Sequence, residues 1–299
     1  MTALGVCVCA FANEAEPAVR LAHALDAPFA PIWTHRFPDG EIMPTVAAPA
    51  AETTVVYRSL ARPNEKLIEL LLAADAWRRA GARRLILVAP YFCYLRQDAV
   101  FAPGEPLSRD VIAPLLGGAF DAIITVQAHL HRTAELGRVT GIPSCNLSAV
   151  APLAAALGPY ATPPVVVGPD EESAPWVESW ARRLGGQGVT LQKIRRGDRA
   201  IEIKAVKPIE ASGRPVLIVD DVASSGETLA QAVALARKAG AASVDIAIAH
   251  DLMSGRATDL LLRSGVRRIV STDSVRHSTN AAQLAPYLAE AVRAIEAKP

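Results

Sequence analysis

The residues best suited to chemistry stand together at Val216-Leu-Ile-Val-Asp-Asp-Val-Ala-Ser-Ser-Gly-Glu-Thr228. An apolar run, read as a buried strand, ends in two adjacent carboxylates, Asp220 and Asp221. A loop of small residues including Gly226 follows, then a helical pattern from Glu227 to Lys238. Small residues let backbone N–H groups approach a phosphate closely, and a helix N-terminus adds its partial positive charge. Ser224, Ser225 and Thr228 bring hydroxyl donors, and the two carboxylates can accept from the vicinal hydroxyls of a ribose. The chemistry is that of a sugar-phosphate site at the carboxyl end of a strand, where ligands sit in open α/β sheets. The plainer alternative is a strand–turn–helix with a serine cap, which leaves paired carboxylates at a buried strand end without a task.

Such a loop needs a sheet to carry it. Val55 to Tyr57, Leu85 to Ala89, Ala122 to Val126, Pro164 to Val167, Val216 to Val219 and Val244 to Ala249 read as strands. Between them, Asn64 to Ala80 is a helix of about four turns. Leu67, Leu70, Leu71 and Ala74 form its apolar face, with Glu65, Lys66, Arg78 and Arg79 around the other. Gly81 and Gly240 stand just past two helical patterns, where a glycine ends a helix. Alternating strands and helices imply mostly parallel sheets covered by helices on both faces. With 299 residues, two domains are expected. The Pro- and Ala-rich stretch from Ile142 to Pro164 marks the crossover, dividing the chain into 1–147 and 148–299. Ala281 to Ala297 reads as a helix that can pack back on either domain, the N-terminal one included.

Several function classes are disfavoured. A net charge of +1 offers no basic excess for nucleic acid, so any anion site is local. No uninterrupted apolar run reaches the roughly 18 residues of a spanning helix. Met1 to Ala10 is apolar without a basic start and meets Asn13, Glu14 and Glu16 at once, so a buried strand is expected rather than a signal peptide. Cys7 and Cys9 share one face of that strand, and with Cys93 and Cys145 form no CxxC pair; buried structural thiols are expected. Together these features point to the cytoplasm. No Gly-Lys dipeptide is present for a Walker loop, and no HExxH or GxSxG motif occurs.

The Asp220–Thr228 segment resembles the phosphoribosyl-binding loop of type I phosphoribosyltransferases and of phosphoribosyl pyrophosphate synthetases, with Glu227 where glycine is more usual. The front half separates the two. Arg36-Phe-Pro-Asp-Gly-Glu41 resembles the synthetases' Phe–x–Asp–Gly–Glu loop, and Arg62-Pro-Asn-Glu-Lys-Leu-Ile-Glu-Leu-Leu71 their helix after the second strand region. Pro90-Tyr-Phe-Cys-Tyr-Leu-Arg-Gln-Asp98 resembles their Pro–Tyr–x–x–Tyr–x–Arg–Gln–Asp segment. Phe101-Ala-Pro-Gly-Glu-Pro-Leu-Ser108 is similar to a stretch of the shorter, archaeal-type members.

The resemblance implies two tandem type I phosphoribosyltransferase-like domains with the active site between them. It further implies transfer of the β,γ-diphosphate of ATP to the 1-hydroxyl of ribose 5-phosphate, with Mg²⁺ as the metal. ATP would lie against Arg96 and Gln97, with His131 a further contact. Phe37, Asp39 and Glu41 would reach the adenine pocket, in this family often from a neighbouring subunit, so a homo-oligomer of at least two chains is implied. Asp220, Asp221, Ser224, Ser225, Gly226 and Thr228 would hold ribose 5-phosphate. His129 and Asp170 match the family's metal ligands, although Gln127 replaces an Asp beside the first, and Glu171 and Glu172 mark the archaeal-type members. Lys193 and Arg195 match the family's Lys–x–Arg at the base of a mobile loop and would be the catalytic pair. Diphosphoryl transfer needs alignment and positive charge over developing negative charge, which two cations on a closing flap supply. Two other readings stay open: a type I phosphoribosyltransferase, and a non-catalytic subunit that regulates true synthetases, favoured by Gln127.

Overall fold

Apolar runs too short for a helix, each closed by a turn residue, set the strands, and longer amphipathic runs set the helices between them. The computed structural model describes residues 5–100, 102–130, 135–196, 200–205 and 208–297, with backbone alone over 193–196 and 200–205. Two units result: Met1–Leu147 with Leu284–Pro299, and Ser148–Gln283.

The first unit contains β1 (Val6–Phe11), α1 (Ala15–Leu25), β2 (Phe29–Arg36), β3 (Ile42–Thr45), β4 (Thr53–Tyr57) and α2 (Pro63–Arg79). It continues through β5 (Arg84–Val88), α3 (Ser108–Ala119), β6 (Ala122–Val126), α4 (Leu136–Thr140) and β7 (Ser144–Leu147). The second unit follows with α5 (Val150–Leu157), β8 (Val165–Gly168), α6 (Ala174–Leu184), β9 (Gln187–Arg196), β10 (Ala200–Ala205) and β11 (Pro215–Ala223). Its remainder is α7 (Glu227–Lys238), β12 (Ser243–Asp251), α8 (Gly255–Arg263), β13 (Arg268–Thr272) and β14 (Asn280–Ala282). The chain ends in α9 (Ala285–Glu296), which returns to the first unit.

The sheets repeat one plan, β3-β2-β1-β4-β5-β6-β7 and β10-β9-β8-β11-β12-β13-β14. Every pairing is parallel except the two edge hairpins, β2–β3 and β9–β10. In both, sequence order reverses beside the first strand, between β1 and β4 and between β8 and β11, the place where open α/β sheets bind ligands.

Helix α2 starts with proline at its first turn, where the lost N–H costs nothing, and stops before Gly81, whose φ of +100° few other residues adopt. Its Leu67, Leu70 and Trp77 bury against Cys7, Cys9, Val56 and Leu87, so both thiols of β1 do point into the core. Each large side chain buried this way contributes about 1.5–3 kcal/mol. In the second unit Leu229, Val233 and Ala236 of α7 cover Val167, Ile218 and Ile246. Helix α9 is tied to the first unit by Arg293, which donates to the Ala24 carbonyl at 2.5 Å, and by Arg84, which donates to the Ile295 carbonyl at 3.0 Å.

At the amino end of the second sheet the Asp245 carboxylate is fully buried. It accepts from the Tyr160 hydroxyl at 2.7 Å, from Arg267 at 2.8 and 2.5 Å and from Arg268 at 3.1 and 3.2 Å. A buried carboxylate needs this many donors to stay charged.

Two sequence expectations need correction. Strand β11 does not end at Val219 but runs through Asp220 and Asp221 to Ala223, because β12 continues beside it and pairs His250 with Val222 and Asp251 with Ala223. Lys66 does not lie on the solvated face of α2: its side chain is turned inward onto the Glu14 carboxylate at 2.8 Å. Glu65 is exposed as expected and faces Arg36 at 3.3 Å.

Candidate active site

In the second unit the Asp220–Thr228 segment lies at the carboxyl end of β11 and the amino end of α7. Asp220 and Asp221 are half-buried, and Asp221 accepts from the Val222 N–H at 2.8 Å. Ser224 and Ser225 are exposed, and Thr228 is half-buried on the first turn of α7. Gly226 precedes the helix with φ +78°, a left-handed conformation that glycine adopts at little steric cost. A Cβ there would meet the Met253 sulfur at 3.2 Å. Glu227 is the first residue of α7, where an acid suits the helix dipole.

Asp170 stands beyond the end of β8, the neighbour of β11, and its Oδ1 accepts from the Ser173 N–H at 3.0 Å. Gly168 just before it has no room for a side chain, since a Cβ would meet the Ser173 hydroxyl at 2.0 Å. Glu171 and Glu172 are exposed. Lys193 and Arg195 lie on β9, paired with Ile203 and Ile201 across the edge hairpin. Asp170, the Asp220–Thr228 loop and the β9–β10 hairpin thus come from three neighbouring strands, β8, β11 and β9.

In the first unit the Pro90–Asp98 segment follows β5. Buried Phe92, Cys93 and Leu95 anchor it, while Arg96 and Gln97 just beyond them are exposed. Its backbone is held by Leu60 N–H to the Tyr91 carbonyl at 2.9 Å and by Val126 N–H to the Pro90 carbonyl at 3.1 Å. The Tyr94 hydroxyl donates to Asn64 at 2.6 Å. Burial pushes the Cys93 thiol up to about 12, so it is a packing group.

Half-buried His129 follows β6, two residues after Gln127, whose φ is +42° and whose N–H donates to the Leu147 carbonyl at 2.7 Å. His131 lies outside the described residues. Phe37, Asp39 and Glu41 are the exposed tip of the β2–β3 hairpin. Asp39 shapes that tip by accepting from the Glu41 N–H at 3.1 Å, an Asx-type turn, and Phe37 packs edge-on against His35 at 4.5 Å. Three strand spacings, about 14 Å, separate β2 from β5. One chain's hairpin and its own Arg96–Gln97 segment therefore stand on different parts of the sheet.

Sequence reasoning missed a group at the switch point of the first unit. Where β11 carries carboxylates near its carboxyl end, the equivalent strand β4 leads into Arg58, which is 2% exposed. Arg58 pairs with Glu69, donates to Asn13 at 2.7 Å, lies 3.7 Å from Glu14 and stacks over the Phe11 ring at 4.3 Å. Burial lowers its proton affinity and Glu14 counteracts. Glu14 also accepts from the Ser59 N–H at 3.0 Å. The position that presents carboxylates in one unit is thus filled by an internal ion cluster in the other. The available signal was Arg58 directly after a buried strand, a costly place for an unpaired cation.

Two units of one phosphoribosyltransferase-like topology, one carrying a small-residue loop after paired carboxylates and the other an anchored Arg–Gln segment, define a two-domain enzyme of phosphoribosyl chemistry. Residues 6–119 match the model of the N-terminal domain of ribose phosphate pyrophosphokinase, and residues 148–279 match the phosphoribosyl transferase domain. The chain belongs to the ribose-phosphate pyrophosphokinase family. It is 36% identical to ribose-phosphate pyrophosphokinase of Methanopyrus kandleri, over 91% of this chain and 94% of that one. It is 31% identical to the enzyme of that name from Halobacterium salinarum, over 92% and 96%. The crystal structure of phosphoribosylpyrophosphate synthetase from Mycobacterium smegmatis superposes with a TM-score of 0.85 at 27% identity, covering 99% of this chain and all of that one. These likenesses span both halves, which favours the synthetase reading over a phosphoribosyltransferase or a non-catalytic subunit. Among the described residues no helix is long and apolar enough to cross a membrane.

Proposed function

We propose that this protein transfers the β,γ-diphosphate of ATP to the 1-hydroxyl of ribose 5-phosphate, giving phosphoribosyl pyrophosphate and AMP. The observation that carries the reading is the presence in one chain of the Asp220–Thr228 loop, with its carboxylates on β11 and its hydroxyls at the start of α7, and of a synthetase-type front half over residues 6–119. The 5-phosphate sits on the loop N–H groups and on Ser224, Ser225 and Thr228, while Asp220 and Asp221 accept from the ribose 2- and 3-hydroxyls. Arg96 and Gln97 hold ATP, Arg96 through its planar fork. Phe37 of a second copy stacks on the adenine, with Asp39 and Glu41 beside it, which makes the working enzyme at least a dimer. Its place is the cytoplasm, with no nucleic-acid partner.

Mg²⁺ fits this donor set in one way. Among the described residues no group of three His, Cys, Asp or Glu could cage a metal, and His129 and Asp170 supply one imidazole and one carboxylate. Mg²⁺ at nucleotide sites is held mainly by phosphate oxygens and water with one or two protein donors, a role open to either side chain. When bound it neutralises the phosphate oxygens. The remaining work falls to the chain. The phosphate loop fixes the sugar so that its 1-hydroxyl meets the β-phosphorus in line. Lys193 and Arg195 place positive charge over the oxygens on which negative charge develops.

The test is AMP release by the purified protein with ATP and Mg²⁺, with and without ribose 5-phosphate. Release that depends on the sugar is expected; release indifferent to it, or none, overturns the assignment. Lys193→Ala is expected to lower kcat by about 10²–10³ while leaving ribose 5-phosphate binding in place.

A further inference from the structure

We propose that Asp251 and His277 are positioning residues that set the affinity for ribose 5-phosphate, by clamping the turn on which the phosphate loop rests. The proposal rests on the reading of Asp220–Thr228 as the sugar-phosphate site.

Strand β12 ends at Asp251, beside Ala223 at the end of β11. The next residue, Leu252, donates its N–H to the Ala223 carbonyl at 2.9 Å, immediately before Ser224. Met253 follows, 4% exposed, with its sulfur under Gly226. The turn is therefore bonded to one end of the phosphate loop and packed beneath its pivot.

Met253 is held by both of its backbone groups. Its N–H donates to Asp251 Oδ1 at 2.9 Å, and its carbonyl accepts from His277 Nε2 at 3.1 Å. The two clamping side chains lie side by side, with His277 Nδ1 3.0 Å from Asp251 Oδ2. The same Asp251 oxygen accepts from the Thr279 hydroxyl at 2.7 Å, and the His277 N–H donates to Asn280 Oδ1 at 2.8 Å. The Asp251 side chain is 0% exposed and that of His277 12% exposed, so water cannot substitute cheaply for a lost partner. Neither residue lies on the loop itself; both act through Met253.

A loop of small, partly exposed residues has little packing of its own to hold it. Its binding shape is supplied from below, and a looser support lowers the fraction of molecules ready to bind, which reduces apparent affinity by that fraction. Once sugar is bound the loop is ordered by its ligand, so turnover at saturation is preserved.

The experiment measures steady-state kcat and KM for each substrate, together with thermal unfolding, in Asp251→Ala, His277→Ala and His277→Gln. Asp251→Ala and His277→Ala are expected to raise the KM for ribose 5-phosphate about tenfold, with kcat and the KM for ATP within about twofold. Gln keeps an N–H donor for the Met253 carbonyl, so His277→Gln is expected to recover most of the loss. An unchanged sugar KM, an equal rise in the ATP KM, or a Gln variant no better than Ala overturns the proposal. Where Asp251→Ala fails to fold, the comparison of His277→Gln with His277→Ala decides. Asp220→Asn with Asp221→Asn serves as the control for the site. If that variant raises the sugar KM while the clamp variants do not, the clamp falls and the site stands. If it too leaves the sugar KM unchanged, the site reading falls with the clamp.

Discussion

Arg58→Met removes one cation from the buried cluster of the first unit and keeps a side chain of similar length. The side chains of Arg58, Glu14, Glu69 and Lys66 are 3, 11, 12 and 15% exposed, so solvent screens them poorly. With Arg58 gone, Glu14 keeps Lys66, Glu69 loses its pairing with Arg58, and Asn13 loses its donor. Removing one partner of a buried ion group costs about 3–5 kcal/mol, most of it for the charge left behind. A domain of this size loses ~2–4 °C of Tm per kcal/mol, so a fall of about 10 °C is expected for the first unit. Calorimetric unfolding reads it. The double variant Arg58→Met with Glu69→Met removes a matched pair, and because an apolar replacement of a buried pair is often neutral, it is expected to recover more than half of the loss. Leu60 and Asn64 brace the Pro90–Asp98 segment, so the single variant is also expected to raise the KM for ATP. A loss under about 1 kcal/mol, or a double variant no better than the sum of its parts, would refute the reasoning.

Gly226→Ala puts a Cβ at φ +78° and against the Met253 sulfur, costing about 1–2 kcal/mol in backbone strain, so kcat/KM for ribose 5-phosphate is expected to fall about tenfold; an unchanged value would mean the loop is not the sugar site. Burial alone would raise the Asp245 carboxyl, but Arg267, Tyr160 and Arg268 outweigh it and hold it below the usual carboxylate range. A depressed folded value means stability present above the unfolded value of about 3.9 and lost as pH falls through the folded one. Asp245→Asn is therefore expected to lower Tm at pH 7 and to flatten its decline below about pH 4; a parallel acid limb in both proteins counts against that role. With its thiol pushed up to about 12 by burial, Cys93 is expected to resist alkylation in the folded protein at pH 8, while partly exposed Cys145 reacts first. Peptide mapping after a short iodoacetamide pulse reads the order, and early labelling of Cys93 contradicts its packing.

Much of the fold is local in origin and was therefore legible. The helix Glu227–Lys238 and the strand Ala122–Val126 stand where apolar period and glycine stops place them. The extension of β11 past Asp221 was not legible, because Val222 and Ala223 are strand residues only by virtue of His250 and Asp251 alongside. Lys66 was misplaced for the same kind of reason. Its position on α2 reads as polar surface until α2 docks beside Glu14, 52 residues earlier.

By itself the sequence determined the strand–helix alternation, the small-residue loop after paired carboxylates, and the motif order that marks the family. Each depends on neighbours within a few residues, and backbone sterics, period and turn chemistry act at that range. Only the tertiary structure decided that Arg58 is locked by Glu14 and Glu69 at the first switch point, and that Asp251 and His277 bond to one turn beside the Asp220–Thr228 loop. Charged and polar side chains have no local period to betray them. Their partners are chosen by which strand ends the sheet brings together, and a buried charge finds its place only once those ends have met.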